Sequence, residues 1–153
     1  MKKKRCLCPA CLSKGTFNYN NIQKNKLNEL FKALRNANNH EERKKALTDI
    51  RYVEFRLKGK KIDPKNEHLI KKILEIDDDE IKCFTIGIVS ELFGGQYRDY
   101  YFQWIYEGKN INIAEECIMA LLGIYGDKVL DEIEVDKCTK ETIKLINEYK
   151  ERY

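Results

Sequence analysis

Residues 77–95, DDDEIKCFTIGIVSELFGG, decide the fold of this chain. The stretch opens with four consecutive acidic residues, and carboxylates near a helix N-terminus are stabilised by its exposed amides and by the helix dipole. Large apolar side chains then recur around nearly the whole helix until Gly94-Gly95 ends it. A helix that is apolar on nearly every side is packed by other elements on more than one side. The stretch therefore predicts a buried helix within a helical protein.

A second stretch repeats this pattern at an offset of 32 residues, in NIAEECIMALLGIYG at residues 112–126. The matched positions are Ile81 and Ile113, Ile86 and Ile118, Val89 and Leu121, Leu92 and Ile124, Phe93 and Tyr125, and Gly94 and Gly126. A more amphipathic segment precedes each buried helix. Helix pairs that recur at a period of about 30–45 residues are typical of an α-solenoid.

Apolar residues at three- and four-residue spacing predict the remaining helices. We expect them near 22–36, near 40–57, from Asp63-Pro64 onward, over about 97–107, near 127–134 and from about Thr139. No stretch shows sustained period-two alternation, so no sheet is expected. The chain is predicted to be all-α, with about seven to eight helices.

The first stretch also resembles the second helix of a HEAT repeat, in which an Asp-rich turn is followed by Val-Arg, small and apolar residues, and Leu-Gly. Ile81-Lys82 stands at the Val-Arg position, and Leu92-Phe93-Gly94 forms the end. AEECIMALLGIYGD is similar through Ala120-Leu121 and Gly126-Asp127. The resemblance spans roughly residues 63 to 134 and implies a HEAT-like stack of antiparallel helix pairs. An irregular helical bundle is the alternative.

Residues 1–21 form a basic, cysteine-rich segment ahead of the predicted helical domain at 22–153. Cys8-Pro-Ala-Cys11 has the C-x-x-C spacing that lets two thiolates hold one zinc ion, and Cys6 could add a third ligand. No second C-x-x-C follows, so the fourth ligand would come from His40, His68 or a cysteine of the helical domain. The spacing indicates half of a zinc site, and a tail of free thiols is the alternative.

The net charge of +4 conceals an asymmetry along the 153 residues. Residues 1–60 carry 16 Lys and Arg against 5 Asp and Glu, a net +11, whereas residues 61–153 carry 13 against 20, a net −7. A basic section attracts phosphates, and an acidic one attracts a basic protein. No apolar run approaches the roughly 20 residues that cross a bilayer. The N-terminus lacks the apolar segment of a secretory signal, so a cytoplasmic location is expected.

The segment QYRDYYFQWIYEG at residues 96–108 is rich in aromatic residues. One helix face cannot bury them all, and tyrosine and tryptophan are favoured at protein interfaces. The residues predicted to bind a protein partner are Tyr97, Tyr100, Tyr101, Trp104 and Tyr106. The alternative is that these rings pack between the helix pairs.

No catalytic motif emerges, so the sequence favours a non-enzymatic protein-binding module. A concrete version is an immunity-type or antitoxin-type inhibitor, which small stand-alone HEAT-like proteins resemble. The acidic section would then cover the basic active site of a nuclease toxin. The alternative is a nucleic-acid-binding protein that uses CPAC as a zinc knuckle. The cations of that alternative are Lys2, Lys3, Lys4, Arg5, Arg43, Lys44, Lys45 and Arg51.

Overall fold

A computed structural model describes residues 19–54 and 64–153, with side chains at 26–51 and 64–153. The described residues form seven α-helices and no strand, which confirms the predicted all-α class. The helices are α1 (Tyr19–Asn36), α2 (His40–Glu54), α3 (Pro64–Leu74), α4 (Asp79–Phe93), α5 (Arg98–Glu107), α6 (Ile111–Tyr125) and α7 (Lys140–Arg152). None of these described helices combines the length and the apolar character that crossing a membrane requires.

The helices pack in consecutive pairs around α4. Helix α1 contacts α2, α3 contacts α4, and α5 contacts α6. The second members of the pairs also form a row, because α4 contacts both α2 and α6, and α7 packs on α6. This pairing is the kind that a HEAT-like stack requires, although the HEAT likeness itself stays a prediction.

The two helices predicted to be buried form the centre of the core. In α4, Ile81, Ile86 and Gly87 point in three different directions around the axis, and all three are buried. In α6, Cys117, Ile118 and Leu121 are fully buried. The burial explains why both sequences are apolar nearly all round, since a helix with neighbours on several sides has little surface left for charged residues.

Gly87 is buried beneath a side chain from α2. The Arg51 guanidinium lies where a side chain at Gly87 would stand, and its Cζ would be 3.1 Å from an added Cβ. The absence of a side chain at Gly87 therefore lets Arg51 cross from α2 onto the surface of α4. It also brings the positive charge of Arg51 near Glu116 of α6, whose pKa is raised by burial and lowered in part by Arg51.

The start and end signals in the sequence largely coincide with the helix ends. Asp78 caps α4 by accepting a hydrogen bond from the Ile81 N–H at 3.1 Å, and Thr139 caps α7 in the same way at 3.2 Å to Thr142. Helix α1 begins at Tyr19, ahead of the predicted start near 22, so the predicted domain boundary lies inside this helix. Asp63 and residues 55–57 lie outside the described residues.

The helix predicted near 127–134 is replaced by shorter structure. The chain forms two 3₁₀ helices there, Asp127–Glu132 and Val135–Lys137. Val129, Leu130 and Ile133 are buried together as their spacing suggested. The tighter 3₁₀ turns place these three side chains against the core within a segment too short for a stable α-helix.

An ionic cluster joins the N-termini of α2 and α4. His40 lies between two carboxylates, with Nδ1 2.5 Å from Asp78 Oδ2 and Nε2 3.1 Å from Glu80 Oε2. Lys44 Nζ lies 2.5 Å from the other oxygen of Glu80. Only the protonated imidazole can donate to both carboxylates, so this geometry favours the charged ring.

The pKa shifts in this cluster follow from its contacts. The hydrogen bond with Asp78 is the main cause that raises the pKa of His40. Burial opposes ionisation of Asp78, but hydrogen bonds from the Ile81 N–H and from His40 outweigh it and lower its pKa. The hydrogen bond from Lys44 is the main cause that lowers the pKa of Glu80. Glu41 adds a weaker contact at 3.9 Å from His40.

We predict opposite effects for alanine at two glycines. Gly94 ends α4 at φ 53°, ψ −130°, with no atom within 4 Å of a new Cβ, so Gly94→Ala should lower the free energy of unfolding through backbone strain alone, by about 1–3 kcal/mol. Gly123 lies exposed inside α6 in equally open space, so Gly123→Ala should raise it by about 0.5–1 kcal/mol. Urea unfolding measures both. Equal effects of the two substitutions would contradict this account.

We also predict a pH-dependent contribution from His40. Because its folded pKa is raised above 6.5, its stabilising effect should be complete below about pH 6.5 and vanish as the pH rises through the folded value. Because Asp78 and Glu80 have lowered pKa values, the effect should also fade on acidification below about pH 4.5. The stability difference between the wild type and His40→Gln, from urea unfolding at several pH values, should therefore peak between these limits. His68→Gln, at an exposed position of α3, is the control and should show no such peak.

Candidate functional site

An open cleft of about 590 Å³ lies between α5 and the 3₁₀ segment that follows α6. Its acidic lining consists of Asp99, Glu107, Glu132 and Glu134. The other lining residues are Arg98, Phe102, Gln103 and Tyr106. Four carboxylates therefore face one guanidinium and two aromatic rings in a single concavity.

The two walls of the cleft are positioned by ordinary core packing. On α5, the lining residues recur at three- and four-residue spacing, whereas Tyr101 and Ile105 point into the core. On the opposite wall, Val129 and Leu130 anchor the first 3₁₀ helix in the core. This leaves Glu132 and Glu134 exposed beside α5. The acidic side chains are thus held by a rigid hydrophobic base.

Two cationic side chains of the protein already lie over aromatic rings in this region. The Arg98 Cζ lies 4.7 Å from the Phe102 ring centre and 5.3 Å from the Tyr125 ring centre, and Arg98 forms an ion pair with Glu132. Lys137 Nζ lies 5.5 Å from the Tyr106 ring centre and 2.7 Å from Glu134. Each arrangement combines a ring face with a carboxylate, which is how proteins hold organic cations.

The other two carboxylates of the cleft form no ion pair with a described residue. Glu107 accepts a hydrogen bond from the Gln103 side chain at 3.0 Å, one helical turn away. The Asp99 carboxylate makes no hydrogen bond or ion pair with another residue in the described part of the chain. The Tyr106 hydroxyl accepts a hydrogen bond from the Glu134 backbone N–H at 3.2 Å and so joins the two walls. The cleft offers carboxylate oxygens to an incoming cation.

The five predicted aromatic residues do not form one surface. Tyr97 and Tyr101 are buried, and neither buried hydroxyl has a hydrogen-bond partner among the described residues. Trp104 is half-buried and stacks with Tyr100, whose side chain is 53% exposed. Tyr106 alone lines the cleft. Tyr97 and Tyr101 pack in the core, as the alternative expects, and protein binding at Tyr100, Trp104 and Tyr106 stays a prediction.

Sequence reasoning missed the opposite wall of the cleft. Glu132 and Glu134 belong to an acidic segment that looks like a solvated loop, and nothing in its spacing connects it to α5. The sequence signal that could have indicated this wall is the pair of acidic residues on either side of the apolar Ile133. Because Ile133 is anchored in the core, its two neighbours must point outward.

The basic residues of α2 are partly neutralised within the protein. Lys44 pairs with Glu80, and Lys45 lies 3.8 Å from Asp49. Arg51 covers Gly87, and Arg43 is half-buried. Lys2, Lys3, Lys4 and Arg5 lie outside the described residues. Nucleic-acid binding therefore stays a prediction.

The predicted zinc ligands Cys6, Cys8 and Cys11 also lie outside the described residues. Of the proposed partners in the helical domain, His40 has both ring nitrogens engaged by carboxylates, and His68 is exposed on α3. Among the side chains that the structure describes, at 26–51 and 64–153, no group of three or more from His, Cys, Asp or Glu is arranged to hold a metal ion. Zinc binding at the N-terminal cysteines stays a prediction.

The chain matches no protein-family model, no curated protein and no solved structure. The HEAT resemblance therefore rests on the residues at 77–95 and 114–127 and stays a prediction. Inferences about function rest on the cleft and on the charge distribution.

We predict that the hydroxyl of Tyr106 fixes the acidic wall to α5. Tyr106→Phe removes the acceptor of the Glu134 N–H, so the free energy of unfolding should fall by about 0.5–1.5 kcal/mol. Native-state hydrogen exchange should show faster exchange at the Glu134 amide. The matched control is Tyr100→Phe, since the Tyr100 hydroxyl lies on an exposed ring outside the cleft, and it should leave that amide unchanged. Unaltered exchange at Glu134 in Tyr106→Phe would disprove the link.

Proposed function

We propose that this chain is a non-enzymatic, cytoplasmic protein-binding module built from HEAT-like helix pairs, and that its acidic cleft binds a basic protein. The observation that supports this most directly is the convergence of four carboxylates and two aromatic rings in one open cleft. The concrete form of the proposal is an immunity-type or antitoxin-type inhibitor. Such an inhibitor covers the positively charged active site of a toxin that acts on nucleic acid.

The charge distribution supports this choice of partner. Residues 61–153 carry a net −7, and they include every residue of the cleft. A surface of one sign raises the rate at which an oppositely charged partner meets it. Inhibition of a toxin demands fast association, so an acidic face suits this role, and binding should weaken as salt screens the charges.

Aromatic rings in the cleft can supply binding energy that charge alone does not. Rim charges mainly steer association, whereas buried aromatic anchors carry much of the binding energy at an interface. Of the two rings that line the cleft, Phe102 is buried and Tyr106 is half-buried, so Tyr106 is the ring with area left to cover. A partner that covers the cleft could therefore bury apolar ring area and pair its cations in one contact.

The first test locates the partner on the surface of the protein. A photo-crosslinking amino acid placed at Gln103 in the cleft should capture a specific protein in the native cell, and mass spectrometry should identify it as one with a basic surface. The matched position is Lys72, which is exposed on α3, and the crosslinker there should not capture that protein. Equal capture from both positions would contradict the assignment of the cleft.

The second test uses charge reversal on the purified complex. Glu107→Lys with Glu134→Lys should weaken binding of the captured partner by about tenfold or more, since one lost charge pair of about 1.4 kcal/mol is already tenfold. The control is Glu148→Lys with Glu151→Lys, which makes the same charge change at exposed positions near the C-terminus of α7. The proposal fails if both pairs weaken binding equally or if neither does.

The same variants separate the nucleic-acid alternative. DNA and RNA titrated at several salt concentrations would bind with a steep salt dependence if the basic N-terminal section neutralises phosphates. Lysines added to the cleft would then strengthen binding or leave it unchanged. The sign of the effect thus distinguishes a basic protein partner from a nucleic acid.

A further inference from the structure

We infer that the cleft binds an arginine side chain of its partner and that Arg98 holds the same place in the free protein. This inference rests on the proposed function and names the chemical group that the cleft recognises. Arg98 is itself a lining residue, so the protein shows how a guanidinium is held there.

The contacts of Arg98 form a complete guanidinium site. Its Cζ lies 4.7 Å from the ring centre of Phe102 and 5.3 Å from the ring centre of Tyr125. One guanidinium nitrogen donates to a carboxylate oxygen of Glu132. A planar cation stacked on aromatic rings and held by a carboxylate is the arrangement that distinguishes arginine from lysine recognition.

The Arg98 side chain is placed so that it can be exchanged. It is 36% exposed and its partner Glu132 is 55% exposed, and ion pairs at such exposure contribute little to stability. Tyr101 and Ile105 of α5 are buried and anchor the helix in the core without it. An incoming guanidinium can therefore take the rings and the carboxylate while the displaced Arg98 moves into water.

The neighbouring residues make the cleft favourable for this exchange. Asp99, adjacent to Arg98 in sequence, has no partner among the described residues. Glu107 lies farther along the same wall. When Arg98 moves into water, these carboxylates remain available to pair with further cations of the partner.

The test uses N-acetyl-arginine methylamide as the probe and the full chain as the protein. Two-dimensional amide spectra should show weak binding of the probe to the wild type and about tenfold or more tighter binding to Arg98→Gln, because the internal competitor is gone. The citrulline analogue has the same shape without the charge and should bind neither protein. Arg152→Gln is the matched control, since Arg152 stacks on Tyr149 at 5.2 Å outside the cleft, and it should leave the affinity unchanged.

A second measurement keeps the inference testable if Arg98→Gln folds poorly. In the wild type, saturating probe should move the Arg98 Nε–H resonance towards that of free arginine, which reports displacement directly. The inference is overturned if this resonance stays fixed, if Arg98→Gln binds no tighter than the wild type, or if the citrulline analogue binds equally well. These failures would leave crosslinking from Gln103 and the charge-reversal result intact, so the proposed function is judged separately.

Discussion

The packing of α4 between its neighbours is the constraint on which the rest of the structure depends. This helix contacts α2, α3 and α6, and its buried side chains point in several directions, so it fixes the positions of all three neighbours. Gly87 contributes by its lack of a side chain, because the Arg51 guanidinium rests on α4 at that point. Helix α6 in turn positions α5 and the following 3₁₀ segment, which are the two walls of the acidic cleft. Core packing therefore sets the geometry of the cleft, although the charged residues of the cleft lie outside the core.

Charged residues serve two distinct purposes in this molecule. At the joint between α2 and α4, His40, Asp78 and Glu80 satisfy one another and fasten two helix N-termini. At the cleft, the carboxylates outnumber the cations. The first arrangement is internally neutralised and stabilises the fold, whereas the second leaves acceptors for another molecule. This difference is the reason we propose the cleft, rather than the histidine cluster, as the place where a partner binds.

Local sequence signals predicted the helices well and the site poorly, for a physical reason. The apolar period and the residues Gly94, Gly126 and Thr139 mark helix ends because capping and backbone conformation depend on adjacent residues. The cleft depends instead on side chains from separate elements. The pairing of Arg98 with Glu132 spans 34 residues and that of His40 with Asp78 spans 38, and no periodicity encodes such contacts. The same holds for the aromatic cluster of α5, because which of its rings are buried depends on the elements that pack against the helix.

Arg98 is covalently attached beside the site that it occupies, and this affects whether small cations of the cell can bind there. A group held on the same chain competes at an effective concentration in the millimolar range. Free arginine, which brings a single guanidinium, would have to exceed that level to take the place of Arg98 beside Phe102 and Tyr125. A folded partner brings many contacts at once and is not held to that limit. Under the proposed function, the internal cation would set a threshold that a small cation does not reach and a folded partner does.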